Sequence, residues 1–294
     1  MTDQRPVYPI GLSSSMLLEF TLEEAIGYAL DWGYGQFEVW GDYPHAHPDL
    51  LGAAERRSLR QLLRPFERLS LHAPLGGASL ASMNPGIWRE ATREYVEAVR
   101  LAAELGAETV VVHPGEVRDW RLAKIAREHC LESLHELAEE ATRRGVRLAL
   151  ENNGPYLASL DQTAEILVGL LDEIDSPNLQ GCLDTGHGNV NGNTAELIAR
   201  LGSRLIHLHV HDNHGQRDEH LPMGWGSMDF AFLAPVFEQF DGMVIVELTW
   251  AANARGPSAE DMGRAGMAGW TRFWARHCAT RIERGEEIRE GSNA

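Results

Sequence analysis

Cysteine is scarce: Cys130, Cys182 and Cys278 are too few and too scattered for a disulfide framework or a Cys-x-x-Cys zinc site. A reducing compartment fits that usage. No apolar run of about 18 residues occurs, and the opening MTDQRPVYPIGLSSS lacks a basic segment followed by an apolar one. The expectation is a cytoplasmic protein with no membrane span. Basic residues are outnumbered, 26 Lys and Arg against 43 Asp and Glu, giving a formal charge of −17. That balance disfavours non-specific attraction to nucleic acid phosphates or anionic lipid. The first strand-like run is not followed by GxGxxG, which argues against an open dinucleotide-binding sheet, and the signals of repeat arrays are missing too.

What is present is a substantial core: 44% of the 294 residues are hydrophobic. Length alone fits one large domain or two ordinary ones, so periodicity has to choose. Eight short apolar runs stand out: VYPIGL from Val7, QFEVW from Gln36, RLSLHAP from Arg68, TVVVHPG from Thr109, RLALENN from Arg147, LQGCLDTGH from Leu179, LIHLHVHD from Leu205 and MVIVELTW from Met243. Between them apolar residues recur at helical spacing, as in Leu22, Ala25, Ile26 and Ala29, in Tyr95, Val99 and Ala102, and in Leu131, Leu134 and Ala138. Thr21 with Glu24 forms a capping-box pattern, and Gly106, Gly145 and Gly202 stand where helices should stop. Strand-then-helix units with continuous apolar strands predict a parallel sheet, and the count predicts closure into a single (β/α)8 TIM barrel. The barrel domain is expected over 1–280, with 281–294 a charged, solvated tail.

In such a barrel the C-terminal strand ends face one mouth, so polar residues there converge although far apart in sequence. Glu38, His72, His113, Glu151, Asp184, His209 and Glu247 follow one another at about one βα unit each. The stretch from Leu205 to Gly226, LIHLHVHDNHGQRDEHLPMGWG, is the most concentrated, with five of the thirteen histidines. Its loop adds Asp218 and His220. Carboxylates such as Glu151, Asp184 and Glu247 gathered at one point would repel by roughly 3 kcal/mol per pair, taking about 5 Å and an effective dielectric of about 20. Either protons or a cation must sit among them. With His209 they form an oxygen-rich set suited to one Mn, Co or Mg ion more than to a thiolate-type zinc site.

Together, LHAP at Leu71, VVHPG at Val111, LEN at Leu150, CLDTGH at Cys182, HVHD at His209, DEHLPMGWG at Asp218 and VEL at Val246 resemble the xylose isomerase-like TIM barrels. That superfamily contains sugar isomerases and epimerases and the endonuclease IV family, and the resemblance runs from about Pro9 to Trp250. Likeness to the ketose epimerases implies that Glu151, Asp184, His209 and Glu247 bind one divalent metal. It also implies that the two glutamates exchange protons with a small carbohydrate or keto-polyol through a metal-stabilised enediolate, and that His187 contacts the sugar. A lyase or dehydratase would use the same chemistry. Likeness to endonuclease IV implies a larger set, His72, His113, Glu151, Asp184, His187, His209, Asp218, His220 and Glu247, holding up to three zinc ions for phosphodiester hydrolysis. The second strand, FEVWG, resembles the sugar branch, and the loop DYPHAHPDL after it offers no arginine or lysine for DNA. A non-catalytic sugar-binding barrel is the third alternative.

Trp40, Trp225 and Trp250 lie at or just beyond strand ends, where indoles can stack on a sugar ring or pack the loops. By parity His207 lies deeper than His209 and reads as a hydrogen-bonded core histidine, and Cys182 as a small core residue beneath Asp184. His45, His47, His211 and His214 read as loop residues, with His211 a candidate to support a metal ligand.

Overall fold

The computed structural model describes residues 7–117, 119–154, 163–252 and 256–279, so the tail expected from 281 lies outside them. Eight parallel strands pair in sequence order and close into a barrel: β1 (Gly11–Ser13), β2 (Gln36–Trp40), β3 (Arg68–His72), β4 (Thr109–Val112), β5 (Arg147–Glu151), β6 (Leu179–Asp184), β7 (Leu205–Val210) and β8 (Met243–Val246). Closure is by β1 against β8, with Gly11 opposite Ile245 and Leu12 opposite Val246. The helices are α1 (Leu22–Asp31), α2 (Ala53–Leu62), α3 (Pro85–Leu105), α4 (Ala123–Arg144), α5 (Ala164–Ile174), α6 (Thr185–Asn191), α7 (Thr194–Leu201) and α8 (Ala259–His277).

Strand alternation decides what each layer contains. Phe37, Leu71, Val110, Leu148, Leu183, Leu208 and Val244 belong to one continuous buried core with helix residues such as Tyr95 and Trp270. The alternate positions include Val111, Ala149 and Cys182, which cluster with Ile206, and then polar residues. Glu38, Ser70, His207 and His209 are all fully buried, so the barrel interior is polar toward its mouth.

Local signals work as read. Thr21 Oγ1 accepts from the Glu24 amide at 3.2 Å while Glu24 Oε2 accepts from the Thr21 amide at 2.9 Å, and α3, α4 and α7 end at Gly106, Gly145 and Gly202. The even strand–helix alternation does not hold throughout. Two helices follow β6, and among the described residues the β7–β8 connection holds only short 3-10 turns at Phe230–Leu233 and Val236–Glu238. Gly215, Pro222, Gly224, Gly226 and Pro235 interrupt any helical run there. The chain is spent instead on a long loop beside the mouth.

Outside the barrel, buried Glu140 on α4 accepts from Arg100 Nε at 2.8 Å, Arg143 Nη2 at 2.7 Å and Arg144 Nε at 2.9 Å, tying α4 to α3. These hydrogen bonds, that from Arg100 foremost, outweigh desolvation and lower its pKa from the ordinary 4.5 to about 2. A carboxyl depressed on folding contributes stability above its unfolded pKa and loses it as pH falls through the folded one. Because the arginines are partly solvated, Glu140→Gln is expected to cost about 1–2 kcal/mol at pH 7. In denaturant titrations that difference should shrink between pH 4.5 and 2; a pH-independent difference would assign the effect to packing.

Candidate metal centre

The mouth is built from strand ends and the residues immediately after them. His72 ends β3, Glu151 ends β5 and Asp184 ends β6, while His113, His211 and Glu247 lie just past β4, β7 and β8. Asp184 also caps α6, its Oδ1 accepting from the His187 amide at 2.6 Å. That cap places His187 in the mouth. Asn152 clamps the same strand end from the neighbouring loop: its Oδ1 accepts from the Asp184 amide at 2.8 Å and its Nδ2 donates to the Asp184 carbonyl at 3.1 Å.

The histidines are oriented by backbone carbonyls. His72 Nδ1 lies 2.8 Å from the Ala73 carbonyl, His187 Nδ1 2.8 Å from the Asn152 carbonyl and His220 Nδ1 3.2 Å from the Glu247 carbonyl. A carbonyl only accepts, so each Nδ1 carries the proton, and in the neutral ring each Nε2 presents a lone pair. Those lone pairs face other acceptors. His72 Nε2 meets His113 Nε2 at 3.2 Å, and the two lie 3.6 and 3.3 Å from Glu151 Oε2, which has no hydrogen bond of good geometry. His187 Nε2 and His220 Nε2 converge on Asp218 Oδ2 at 3.0 and 2.8 Å.

His209 bridges the interior to the mouth. Its Nε2 lies 3.1 Å from Glu38 Oε1, and its Nδ1 lies 3.1 Å from Glu151 Oε1 and 3.3 Å from Glu247 Oε2. Beneath it His207 Nε2 and Ser70 Oγ also reach Glu38, at 3.1 and 3.0 Å, so His207 is the hydrogen-bonded core histidine expected. Glu38 itself sits inside β2, with Trp40 at the strand end. His211, read from sequence as a loop residue, is fully buried, with Nε2 2.9 Å from Asp184 Oδ2. Gly186 permits that approach, since a Cβ there would stand 1.9 Å from His211 Cε1.

The long loop is held by Asp212, whose carboxylate accepts backbone amides from Asn213 at 2.9 Å, Gly224 at 2.8 Å, Gly226 at 3.0 Å and Met228 at 3.1 Å. It carries Asp218 and His220 to the mouth, His220 with a left-handed φ of 46° that non-glycine residues adopt uncommonly. Neither Asp212 nor Asn152 carried a role in the sequence pattern; the signal was their place beside motif residues in HVHD and LEN.

Electrostatics follows from this crowding. Burial pushes the Glu151 carboxyl up, but the charges of His209 and His113 carry it well below the usual range. Glu247 falls to about 2 for a similar reason, His209 overcoming desolvation, and His187 and His220 hold Asp218 low. Among the imidazoles, burial opposes the charge, yet Glu151 and Glu38 lift His209 well above its ordinary value and Asp218 lifts His220 to about 9. His113 moves the other way, pulled to about 4 by burial. Two arrangements satisfy these charges: protons on the imidazoles, or a divalent cation among the same atoms. The second uses the lone pair that His209 Nδ1 turns toward Glu151 and Glu247 when Nε2 donates to Glu38, so the donor set fits a metal.

A cavity of about 370 Å³ opens over these groups, lined by His72, His113, Glu151, His187, Asp218, His220 and Glu247 and walled by Trp40 and Trp250. Trp40 packs on His72 with ring centroids 4.8 Å apart, and Trp250 stacks on Phe20 at 5.6 Å. Trp225 is not among the lining residues: the turn from Pro222, closed by the Trp225 amide at 3.0 Å, leaves the indole 42% exposed.

Comparison with known proteins agrees with the barrel. An uncharacterised protein of Methanocaldococcus jannaschii is 32% identical over 247 residues, covering 81% of this chain and 82% of its own. Fructoselysine 3-epimerase of Shigella flexneri is 26% identical over 234 residues, covering 77% and 85%. A crystal structure of a D-tagatose 3-epimerase-like protein superposes with a TM-score of 0.78 at 28% identity, covering 92% of this chain and 99% of that one. The family model described as xylose isomerase-like TIM barrel matches residues 26–272, and the chain belongs to that family.

Proposed function

We propose that the protein is a divalent-metal-dependent epimerase or isomerase acting on a small carbohydrate or keto-polyol, moving a proton at the carbon beside a carbonyl. The observation that carries this reading is the pairing of Glu151 and Glu247, which come from β5 and β8, three strands apart, and both reach His209 Nδ1 in a mouth of inward-facing lone pairs. The similarity to fructoselysine 3-epimerase and to a D-tagatose 3-epimerase-like protein supports it.

Glu151, Asp184, His209 and Glu247 would hold the cation, with His211 bearing on Asp184. A bound divalent ion supplies Lewis-acid stabilisation of negative charge developing on substrate oxygens. One glutamate takes the proton as the C–H bond breaks, the electron pair moving toward the carbonyl oxygen. Return from the protonated form of the other glutamate inverts the carbon, whereas return from the same one restores it or delivers the proton to a neighbouring carbon. His187 and His220 stand where sugar hydroxyls would lie, and Trp40 and Trp250 wall the cavity. Among the described lining residues there is no lysine or arginine, so an unphosphorylated sugar is the better fit.

A second reading, a three-zinc phosphodiesterase, is favoured by the number of donors, since His72, His113 and Glu151 form one group and His187, Asp218 and His220 another. The same absence of basic lining weighs against a nucleic acid backbone as substrate.

Incubation with a panel of 2-ketohexoses in deuterated water should incorporate deuterium at the carbon next to the carbonyl. Glu151→Gln and Glu247→Gln are each expected to slow incorporation by more than about 100-fold. Sugar binding without exchange would support a non-catalytic barrel, and chelator-sensitive cleavage of an abasic duplex would move the phosphodiesterase ahead. Phosphorylated forms of an accepted ketose should have lower kcat/KM than the free sugar; a clear preference for the phosphate would contradict the reading of the mouth.

A further inference from the structure

Beside the metal-facing chamber lies a second one of about 470 Å³, and the two share Leu75, His113 and Asn153 as common walls. The first is at the small end of ligand cavities and suits a monosaccharide. A free monosaccharide bound over the carboxylates would leave the second to water.

The annex is not built for water. Leu75, Met83, Ile87 and Leu122 line it, and each keeps more than a third of its surface exposed. Such a group at a cavity wall gains from being covered by apolar atoms. Its walls are also fixed in advance. Asp42 Oδ2 accepts from the Leu75 and Gly76 amides at 3.0 and 2.6 Å, and His129 Nδ1 lies 2.9 Å from the Ser82 carbonyl beside Met83. Asn84 Oδ1 caps α3 by accepting from the Gly86 and Ile87 amides at 2.9 and 3.3 Å. Of the two carboxylates in the wall, Asp119 is paired with Arg121, so the apolar side chains and not charge define the occupant.

The geometry points to a sugar conjugate as the substrate class, the reacting sugar over Glu151 and Glu247 and a largely apolar substituent in the annex. This rests on the proposed sugar chemistry at the first chamber and adds the part of the substrate that does not react. Binding energy gathered there would raise kcat/KM without touching the reacting carbon.

The test compares 2-ketohexoses with the same sugars carrying a 1-O-hexyl group, by deuterium exchange, in the wild type, Ile87→Asp and Met83→Ser. Ile87 is exposed at the start of a helix, where an added carboxylate is tolerated. The hexyl sugar is expected to show at least about tenfold higher kcat/KM, a gain that two buried methylenes suffice to supply, and this ratio should fall toward one in both variants. Exchange with equal kcat/KM for the two sugars overturns the annex assignment and leaves the sugar chemistry standing. A high ratio that survives both substitutions places the arm elsewhere and overturns it too. If light scattering finds a dimer that Ile87→Asp dissociates, the surface is an interface between copies and the assignment falls. Absence of exchange with every sugar defeats the sugar chemistry itself, and the conjugate reading with it.

Discussion

The structure depends on one electrostatic constraint: Glu38, Glu151, Asp184 and Glu247 are buried within reach of one another's partners and need positive charge among them. Burial alone would drive carboxyls toward their neutral forms. Instead imidazoles surround them, and backbone carbonyls fix three of those rings with Nε2 facing inward. The barrel makes this affordable in space: strand alternation sends apolar residues to the helices and leaves the inner layer free for polar groups. Asn152, Asp212 and Gly186 then act on position, through the Asp184 strand end, the long loop and the approach of His211.

Much of the fold was legible because the strands are short continuous apolar runs and the helices carry caps and periodic faces. The ring of polar residues at strand ends was legible too, since a closed parallel barrel turns equal spacing in sequence into proximity. What parity could not fix was depth. Glu38 reads as a strand-end residue but lies within β2, paired with His207 and His209. His211 reads as loop because it follows the strand, yet the tight turn of α6 through Gly186 brings Asp184 against it. Trp225 looked equivalent to Trp40 and Trp250, but its position is set by amide bonds to Asp212 on either side of it, which no spacing rule reveals.

The β7–β8 connection shows the same division of labour. Its glycines and prolines forgo a helix, and four amide bonds to Asp212 replace the order a helix would give. In return Asp218 and His220 reach across the mouth, with His220 held in a left-handed backbone conformation by the Glu247 carbonyl, Asp218 and the Thr249 amide. Rigid strands supply the carboxylates and a pinned loop supplies the groups nearer solvent. A loop so placed can change between relatives without disturbing the barrel.

The central claim is that these donors hold a divalent metal, and metal content per chain tests it most directly. Elemental mass spectrometry would be run on protein purified without chelator and again after loading with Mn, Co, Mg or Zn, with Glu151→Gln alongside. About one Mn, Co or Mg per chain, lost in the variant while the fold is retained by circular dichroism, is the result expected of the proposed sugar enzyme. Nearly three zinc ions per chain would shift the reading to the phosphodiesterase, and no retained metal under any loading condition would contradict the claim.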